Sequence, residues 1–191
     1  QASPRPARKD PSPAPDEPAA LARQVSFGAG LRTLEDDGFG RLDDQLVWTL
    51  DYCEPMELGP VRLEGGMRYA YDEADDTSGG QDVRLKSRSY ELSVGLNLSH
   101  LVGRLRPYAG LGAAIQFLEL RGIDEELDVV FDDDDVAVGG YAKAGVLFQV
   151  SRTSHLGIEF RHFEGGDVTL DGTNLDTSYD EVLFVLGTSF E

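Results

Sequence analysis

The sequence has few of the residues on which several large classes of protein depend. It holds a single cysteine, Cys53, so it cannot form an intrachain disulfide or a multi-cysteine metal site. Its 17 Lys and Arg stand against 35 Asp and Glu, and this formal charge of -18 argues against nucleic acid as a partner, because phosphate binding needs clustered cations. No apolar run approaches the roughly 20 residues of a transmembrane helix. The three histidines are scattered, so we expect no histidine metal cluster and no cofactor.

The first 20 residues differ in composition from the rest of the chain. They contain six of the nine prolines, mixed with alanine, serine and scattered charges. Such a stretch buries too little apolar surface to offset the entropy of ordering it, so we expect residues 1–21 to be a Pro-rich, disordered tail. Residues 1–20 are also a candidate segment for binding an envelope protein. The chain opens on Gln1 without a visible signal sequence, and we expect a processed product.

Alternation of apolar and polar side chains with a period of two recurs from residue 22 to the end, and this pattern is typical of β-strands. In the clearest case the apolar positions are Tyr90, Leu92, Val94, Leu96 and Leu98. Eight strands are predicted near residues 22–32, 45–53, 61–71, 89–98, 105–118, 136–150, 155–163 and 180–190. Eight strands of about 9 to 11 residues are the smallest usual barrel that crosses a membrane.

The two faces of these strands predict which solvent surrounds the barrel. One face carries aliphatic and aromatic side chains, and the other carries glycines, small polar residues and charges of both signs. A barrel in lipid needs an apolar outside and tolerates a polar inside. We therefore predict an all-β, eight-stranded, antiparallel, up-and-down transmembrane β-barrel over residues 22–191. A soluble lipocalin-like binder, which needs the opposite arrangement, is kept as an alternative.

Charged residues on the predicted inner face form the first candidate site. Eight strands leave an interior that side chains fill, and buried charges are tolerated when they are paired. We expect a plugged lumen crossed by a charge network of Arg62, Glu64, Arg68, Glu91, Lys143, Glu159, Arg161 and Glu181, with Asp51 on the same face. A small gated pore is the alternative use of these residues.

The links between the predicted strands alternate in length. Short links near residues 54–60, 99–104 and 151–154 alternate with long ones near 34–44, 72–83, 119–135 and 164–180, and the long links hold 24 of the 35 acidic residues. Outer-membrane barrels have short periplasmic turns and long external loops, so we expect acidic extracellular loops and a periplasmic N-terminus. Within one loop, Asp132, Asp133, Asp134 and Asp135 are candidate ligands for a divalent cation, which prefers carboxylate oxygens.

A row of cations continues the outward face of the fourth predicted strand. Beyond Tyr90, the same parity runs through Arg88, Lys86 and Arg84. Aromatic residues mark the edge of the apolar band, so these cations are expected near the outer headgroups. Arg84, Lys86 and Arg88 are therefore candidates for binding lipopolysaccharide phosphates, with outer-membrane lipid and lipopolysaccharide as partners.

Three stretches resemble a known family. They are Arg106–Phe117 (RPYAGLGAAIQF), Leu156–Phe163 (LGIEFRHF) and the closing Val182–Phe190 (VLFVLGTSF). From about residue 24 to 190, the chain resembles the eight-stranded outer-membrane β-barrel superfamily, which includes the transmembrane domain of outer-membrane protein A. The resemblance implies a place in the bacterial outer membrane. One departure is Glu191, because the family commonly ends on the aromatic residue itself.

The resemblance leaves an enzymatic alternative open. Barrels similar to lipid A deacylases carry an H-x-S-N motif, in which a base stands beside a nucleophile. Here His162 is followed by Phe163, Glu164 and Gly165, so the serine is missing. We expect a protein that is not an enzyme and that acts through its acidic loops or its tail, in adhesion, envelope integrity or an envelope complex. A lipid A-modifying barrel enzyme is kept as the alternative.

Overall fold

Eight antiparallel strands close into a barrel in the computed structural model of this protein, which describes residues 22–35, 42, 44–78, 81–124, 131–170 and 173–190. The strands are β1 Arg23–Leu34, β2 Asp44–Pro55, β3 Val61–Ser78, β4 Gln81–Ser99, β5 Leu105–Asp124, β6 Phe131–Gln149, β7 Ser154–Glu164, β8 Asp167–Leu170, β9 Thr173–Asp176 and β10 Tyr179–Phe190. The barrel order is β1-β10-β7-β6-β5-β4-β3-β2. The predicted fold class is confirmed. The Pro-rich segment 1–21 lies outside the described residues, so the expected tail stays a prediction.

Two regions predicted as long loops are mostly strand. β3 and β4 remain paired up to Ser78 and Gln81, and β5 pairs with β6 as far as Gly122 and Phe131. Alternation with an apolar outer face failed to mark these extensions because the pattern is reversed there. Leu85 and Leu120 pack against the buried apolar cluster inside the barrel, whereas Lys86 and Arg121 lie on the outer face. A separate hairpin of β8 and β9 also lies within the last predicted loop. No helix in the described part of the chain is long and apolar enough to cross a membrane.

The strands are strongly staggered around the barrel. Following the register from Ala29 through β2, β3, β4 and β5 leads to Val136 on β6, whereas the path through β10 and β7 leads to Val146 on the same strand. A stagger of this kind requires tilted strands. Side chains that are neighbours on the barrel surface therefore belong to residues whose sequence positions do not reveal that they are neighbours.

Large apolar side chains point away from the barrel interior. Leu92, Val94, Phe148 and Phe184 are each between 41% and 58% exposed. At the outer edge of this belt, the rings of Trp48 and Tyr69 lie 5.9 Å apart and those of Tyr69 and Tyr90 lie 5.0 Å apart. An exposed belt of this size needs a lipid solvent, because in water it would drive aggregation. The arrangement is the reverse of a lipocalin-like barrel.

Candidate functional site

The barrel interior places one guanidinium among three carboxylates. Arg68 on β3 lies 3.1 Å from Glu181, 3.2 Å from Glu159 and 3.4 Å from Asp51. Glu181 is shared, because Arg32 on β1 donates to its other oxygen at 2.6 Å. Buried charges cost several kcal/mol each unless they are paired and hydrogen-bonded, and here each is held by a partner on another strand.

A second centre lies around the ammonium group of Lys143 on β6. Its Nζ is 2.7 Å from Glu64 and 3.0 Å from Glu159. Tyrosine hydroxyls add hydrogen bonds to the same carboxylates. Tyr141 donates to Glu64 at 3.3 Å, and Tyr108 donates to Glu159 at 2.7 Å. Glu159 therefore links the lysine centre to Arg68.

The third centre pairs Arg161 with Glu91 at 2.6 Å. The pair lies outside hydrogen-bond geometry, and the nitrogens of the Arg161 guanidinium make no hydrogen bond to the described residues. The guanidinium instead stacks 4.1 Å from the Tyr141 ring, and the Tyr179 hydroxyl donates to the other Glu91 oxygen. This centre is held mainly by charge and ring contacts.

The eight residues predicted for the lumen network are all buried in the barrel. Seven form ion pairs, whereas Arg62 donates to Gln24 at 2.8 Å and to the Ala22 carbonyl at 3.1 Å and makes no ion pair within the described ranges. Sequence reasoning missed Arg32 and Tyr179. Both lie on the inward parity of their strands, as Gln24 and Glu181 do, so the alternation could have found them.

Buried charge is balanced within the described residues. The buried bases are Arg32, Arg62, Arg68, Lys143 and Arg161, and the buried acids are Asp51, Glu64, Glu91, Glu159 and Glu181. The five charges of each sign among these fully buried residues cancel, and the half-buried Arg106 lies at the edge of this set. The protein's charge of -18 therefore lies outside this network.

An apolar cluster closes the lumen at the end where the long links between strands lie. Leu42 comes from the β1–β2 link, Val168 from β8 and Leu175 from β9, and all three pack with Phe163 and Tyr179. These side chains are at most 4% exposed. The polar network thus lies beneath an apolar cap, which the sequence analysis did not predict because its residues come from segments without a clear strand pattern.

At the opposite end of the lumen, near the short turns, a polar cavity of about 20 Å³ is lined by residues that include Cys53, Arg62, Ser99 and Arg106. That volume holds about one water molecule. Cys53 is buried, and its Sγ lies 3.5 Å from Glu64. At this end the lumen is filled by buried polar side chains that surround a cavity of this size.

Outside the barrel, the three predicted lipopolysaccharide-binding residues lie on β4 beyond Tyr90. Glu73 on β3 pairs with Arg84 at 3.2 Å and with Lys86 at 3.4 Å. Arg88 lies 6.0 Å from the Tyr71 ring. The cations are partly neutralised by this neighbour, and their binding to lipopolysaccharide stays a prediction.

The four consecutive aspartates lie on β6, where successive side chains point to opposite faces. Asp132 pairs with Arg121 at 2.7 Å, and Asp133 accepts the backbone N–H of Asp134. Asp135 accepts the backbone N–H of Thr169 on β8 at 2.8 Å, which ties the hairpin to the barrel. Cation binding by this run stays a prediction.

The environment of His162 bears on the enzymatic alternative. Its Nδ1 lies 2.9 Å from Asp180 and 3.5 Å from Glu35, and its Nε2 lies 3.4 Å from Glu164. A serine hydrolase needs a hydroxyl beside the base. In the described part of the chain, the polar partners of this ring are carboxylates.

Comparison with solved structures supports the fold. The outer-membrane protein OprG from Pseudomonas aeruginosa is 12% identical, with a TM-score of 0.64 over 89% of this chain and 96% of that one. The attachment invasion locus protein Ail of Yersinia pestis, in complex with the heparin analogue sucrose octasulfate, is 13% identical, with a TM-score of 0.59 over 88% and 97%. Neisserial surface protein A is 12% identical, with a TM-score of 0.54 over 88% and 96%.

No family model and no curated protein matches the chain. At 12 to 13% identity the structural likeness establishes the fold and leaves the activity open. The predicted resemblance to eight-stranded outer-membrane β-barrels is confirmed at the level of fold.

Proposed function

We propose that this protein is a non-enzymatic β-barrel of a bacterial outer membrane, with its N-terminus in the periplasm, that acts through its extracellular surface. The observation that carries the proposal is the combination of an apolar outer belt with a lumen that is closed by an apolar cap above a charge-balanced network. Such a barrel serves as an anchor. Its acidic loops and its tail are left to meet partners in adhesion, envelope integrity or an envelope complex.

A closed lumen argues against the gated-pore alternative. Opening a path would require moving the cap formed by Leu42, Val168 and Leu175 and separating ion pairs that hold one another across the barrel. Separating a buried pair costs about 3–5 kcal/mol, because it leaves an uncompensated charge. Several such pairs would have to separate together.

The charge of the loops selects the partner. The likeness to Ail does not transfer its polyanionic ligand, because the long links of this chain hold 24 acidic residues and only Arg41 and Arg121 as bases. Like charges repel at this distance, so a sulfated sugar is disfavoured. A basic protein surface is the complementary partner, whereas Arg84, Lys86 and Arg88 contact lipopolysaccharide phosphates at the membrane edge.

The membrane assignment is tested by cell fractionation and by mobility of boiled and unboiled samples on gels. We expect the protein in the outer-membrane fraction and a mobility that changes on boiling. The purified barrel in planar lipid bilayers is expected to give no conductance steps. A soluble protein without a heat-dependent mobility, or steady conductance, would overturn the proposal.

The extracellular role is tested by charge neutralisation of one loop. In the variant, Glu125, Glu126 and Asp128 are replaced by Gln, Gln and Asn, and binding of intact cells to a surface coated with a basic protein is measured. The matched control is a deletion of residues 1–20. In the proposed orientation this segment is periplasmic, so the deletion leaves the extracellular surface unchanged. We expect binding to fall several-fold with the first variant only. Loss of binding with the tail deletion alone would contradict both the role of the loop and the periplasmic position of residues 1–20.

A further inference from the structure

We propose that Glu35, His162 and Asp180 form a binding site for one transition-metal dication, such as Zn²⁺, at the outer rim of the barrel. One donor atom from each of the three side chains lies within 4.8 Å of the other two. This site is separate from the lumen network, and it uses none of the four consecutive aspartates.

Three adjacent strands bring these residues together. Thr33 on β1, Asp180 on β10 and His162 on β7 form one row of the barrel register. Glu35 follows Thr33 by two positions, and its backbone N–H donates to the Ser178 carbonyl at 3.0 Å, which fixes the end of β1 against β10. The site is built on paired backbone.

The row lies just beyond the apolar belt. The next outward positions toward the membrane are Phe160 on β7 and Val182 on β10. They are 48% and 55% exposed and belong to the belt. The side chains of His162, Glu35 and Asp180 are 38%, 48% and 47% exposed. An ion from the aqueous phase therefore has access to all three.

The distances suit a small dication. Nδ1 of His162 lies 2.9 Å from Oδ1 of Asp180 and 3.5 Å from Oε1 of Glu35. Zinc bonds of about 2.0 to 2.2 Å in a tetrahedron place neighbouring donor atoms about 3.3 Å apart. Three protein ligands at this spacing leave a fourth position for water or an external group. The imidazole nitrogen favours Zn²⁺, Co²⁺ or Ni²⁺ over Ca²⁺ and Mg²⁺, which prefer oxygen.

Glu164 supplies the outer support of the ligand histidine. Its Oε2 lies 3.4 Å from Nε2 of His162, on the side of the ring away from Asp180. A carboxylate that accepts the N–H of one ring nitrogen leaves the lone pair of the other nitrogen for the metal, and it also fixes the ring orientation. Glu164 is therefore a positioning residue. It occupies the place where the H-x-S-N motif has its serine, and here it supports the histidine of a metal site.

The local charge favours a cation. Three carboxylates surround one imidazole, and within the described ranges no lysine or arginine forms an ion pair with Glu35, Glu164 or Asp180. A proton on His162 offsets one of the three negative charges, whereas a dication offsets two. The competing arrangement is a protonated histidine held by the carboxylates without a metal.

The test uses the full untagged chain folded in detergent micelles, with Co²⁺ as a spectroscopic probe and Zn²⁺ in calorimetric titrations. We expect one ion per chain, a visible Co²⁺ band of a nitrogen-containing site, and displacement of Co²⁺ by Zn²⁺. His162→Gln and Asp180→Asn should each weaken binding by at least about tenfold, and Glu164→Gln by about tenfold through loss of the ring support. His100→Gln and Asp134→Asn are matched controls and should leave affinity unchanged.

Heat-dependent gel mobility verifies that each variant has folded, so a loss of affinity reports on the site. Absence of Co²⁺ binding at millimolar concentration would overturn the proposal in favour of the protonated histidine. Equal affinity in the wild type and His162→Gln would likewise overturn it, because the ion would then be held by the acidic loops. Neither result would affect the membrane assignment or the absence of conductance.

Discussion

Tyr141 on β6 lies directly opposite Gly112 on β5, and its ring occupies the lumen space that a side chain at position 112 would need. A Cβ at Gly112 would meet Cε1 of that ring at 2.7 Å. The glycine thus lets the ring lie flat against β5, where it supports Arg161 and donates to Glu64. Tyr108 covers Gly145 on the next strand in the same way. The small residues of the inner face make room for the tyrosines that complete the charge network.

Replacing Gly112 with alanine should therefore destabilise the barrel. The added carbon would also approach the Val94 carbonyl and the Cα of Gly95, which are backbone atoms that cannot rotate away. Overpacking of this kind costs about 1–3 kcal/mol. The free energy of unfolding in urea, measured in lipid vesicles, reports the effect. Gly65→Ala is the control, because its nearest neighbour is 3.9 Å away, and similar losses in both variants would contradict the role of the ring.

Glu181→Gln should remove the charge that Arg32 and Arg68 share. Arg68 keeps Asp51 and Glu159, whereas Arg32 stays buried and loses the one carboxylate that it pairs with among the described residues. Breaking a buried pair costs about 3–5 kcal/mol of unfolding free energy. The comparison is Glu54→Gln, in the exposed pair with Arg23, where little change is expected. An equal loss of unfolding free energy in both variants would show that the lumen ion pairs stabilise the fold no more than surface ion pairs do.

Val94→Arg tests whether the exposed belt faces lipid. Val94 is 58% exposed in the middle of the apolar part of β4. Arginine on the lipid face near the bilayer midplane costs about 2–4 kcal/mol, whereas arginine at an exposed position in water costs almost nothing. Leu58→Arg in the turn between β2 and β3 is the control. Unchanged folding of the first variant into vesicles would place the belt in water.

Asp135→Asn should loosen the β8–β9 hairpin. The backbone N–H groups of Thr169 and Val136 stabilise the ionised carboxylate and lower the pKa of Asp135 below its ordinary value of 3.8. Because the folded-state pKa is the lower one, this stabilisation is complete above pH 3.8 and is lost as the pH falls through the folded value. Amide hydrogen exchange at Thr169 should accelerate in the variant at neutral pH. Asp134→Asn is the control, and acceleration in both would remove the special role of Asp135.

The number of strands in the barrel, the lipid-facing side and most of the lumen charges could be predicted from the sequence, whereas the β8–β9 hairpin was missed. Each rests on the alternation of side chains along one strand, which the backbone pleat fixes locally. For this reason Glu91 and Leu92 were assigned to opposite faces without any knowledge of their neighbours. The same rule failed above Tyr71 and Arg88, because there the apolar side chains such as Leu85 lie on the inner face, the reverse of the lipid-facing pattern.

The contacts between strands were decided by the tertiary structure. The stagger of the barrel determines that Arg68 meets Glu181 and that Glu35 approaches His162, and these partners are far apart along the chain. The apolar cap likewise depends on Leu42 from the β1–β2 link meeting Val168 and Leu175 of the β8–β9 hairpin. Side-chain direction is a property of each residue's place in its own strand, whereas its neighbours depend on how all eight strands are aligned. The sequence by itself therefore determined which solvent each face meets, and closure of the barrel decided which charges pair.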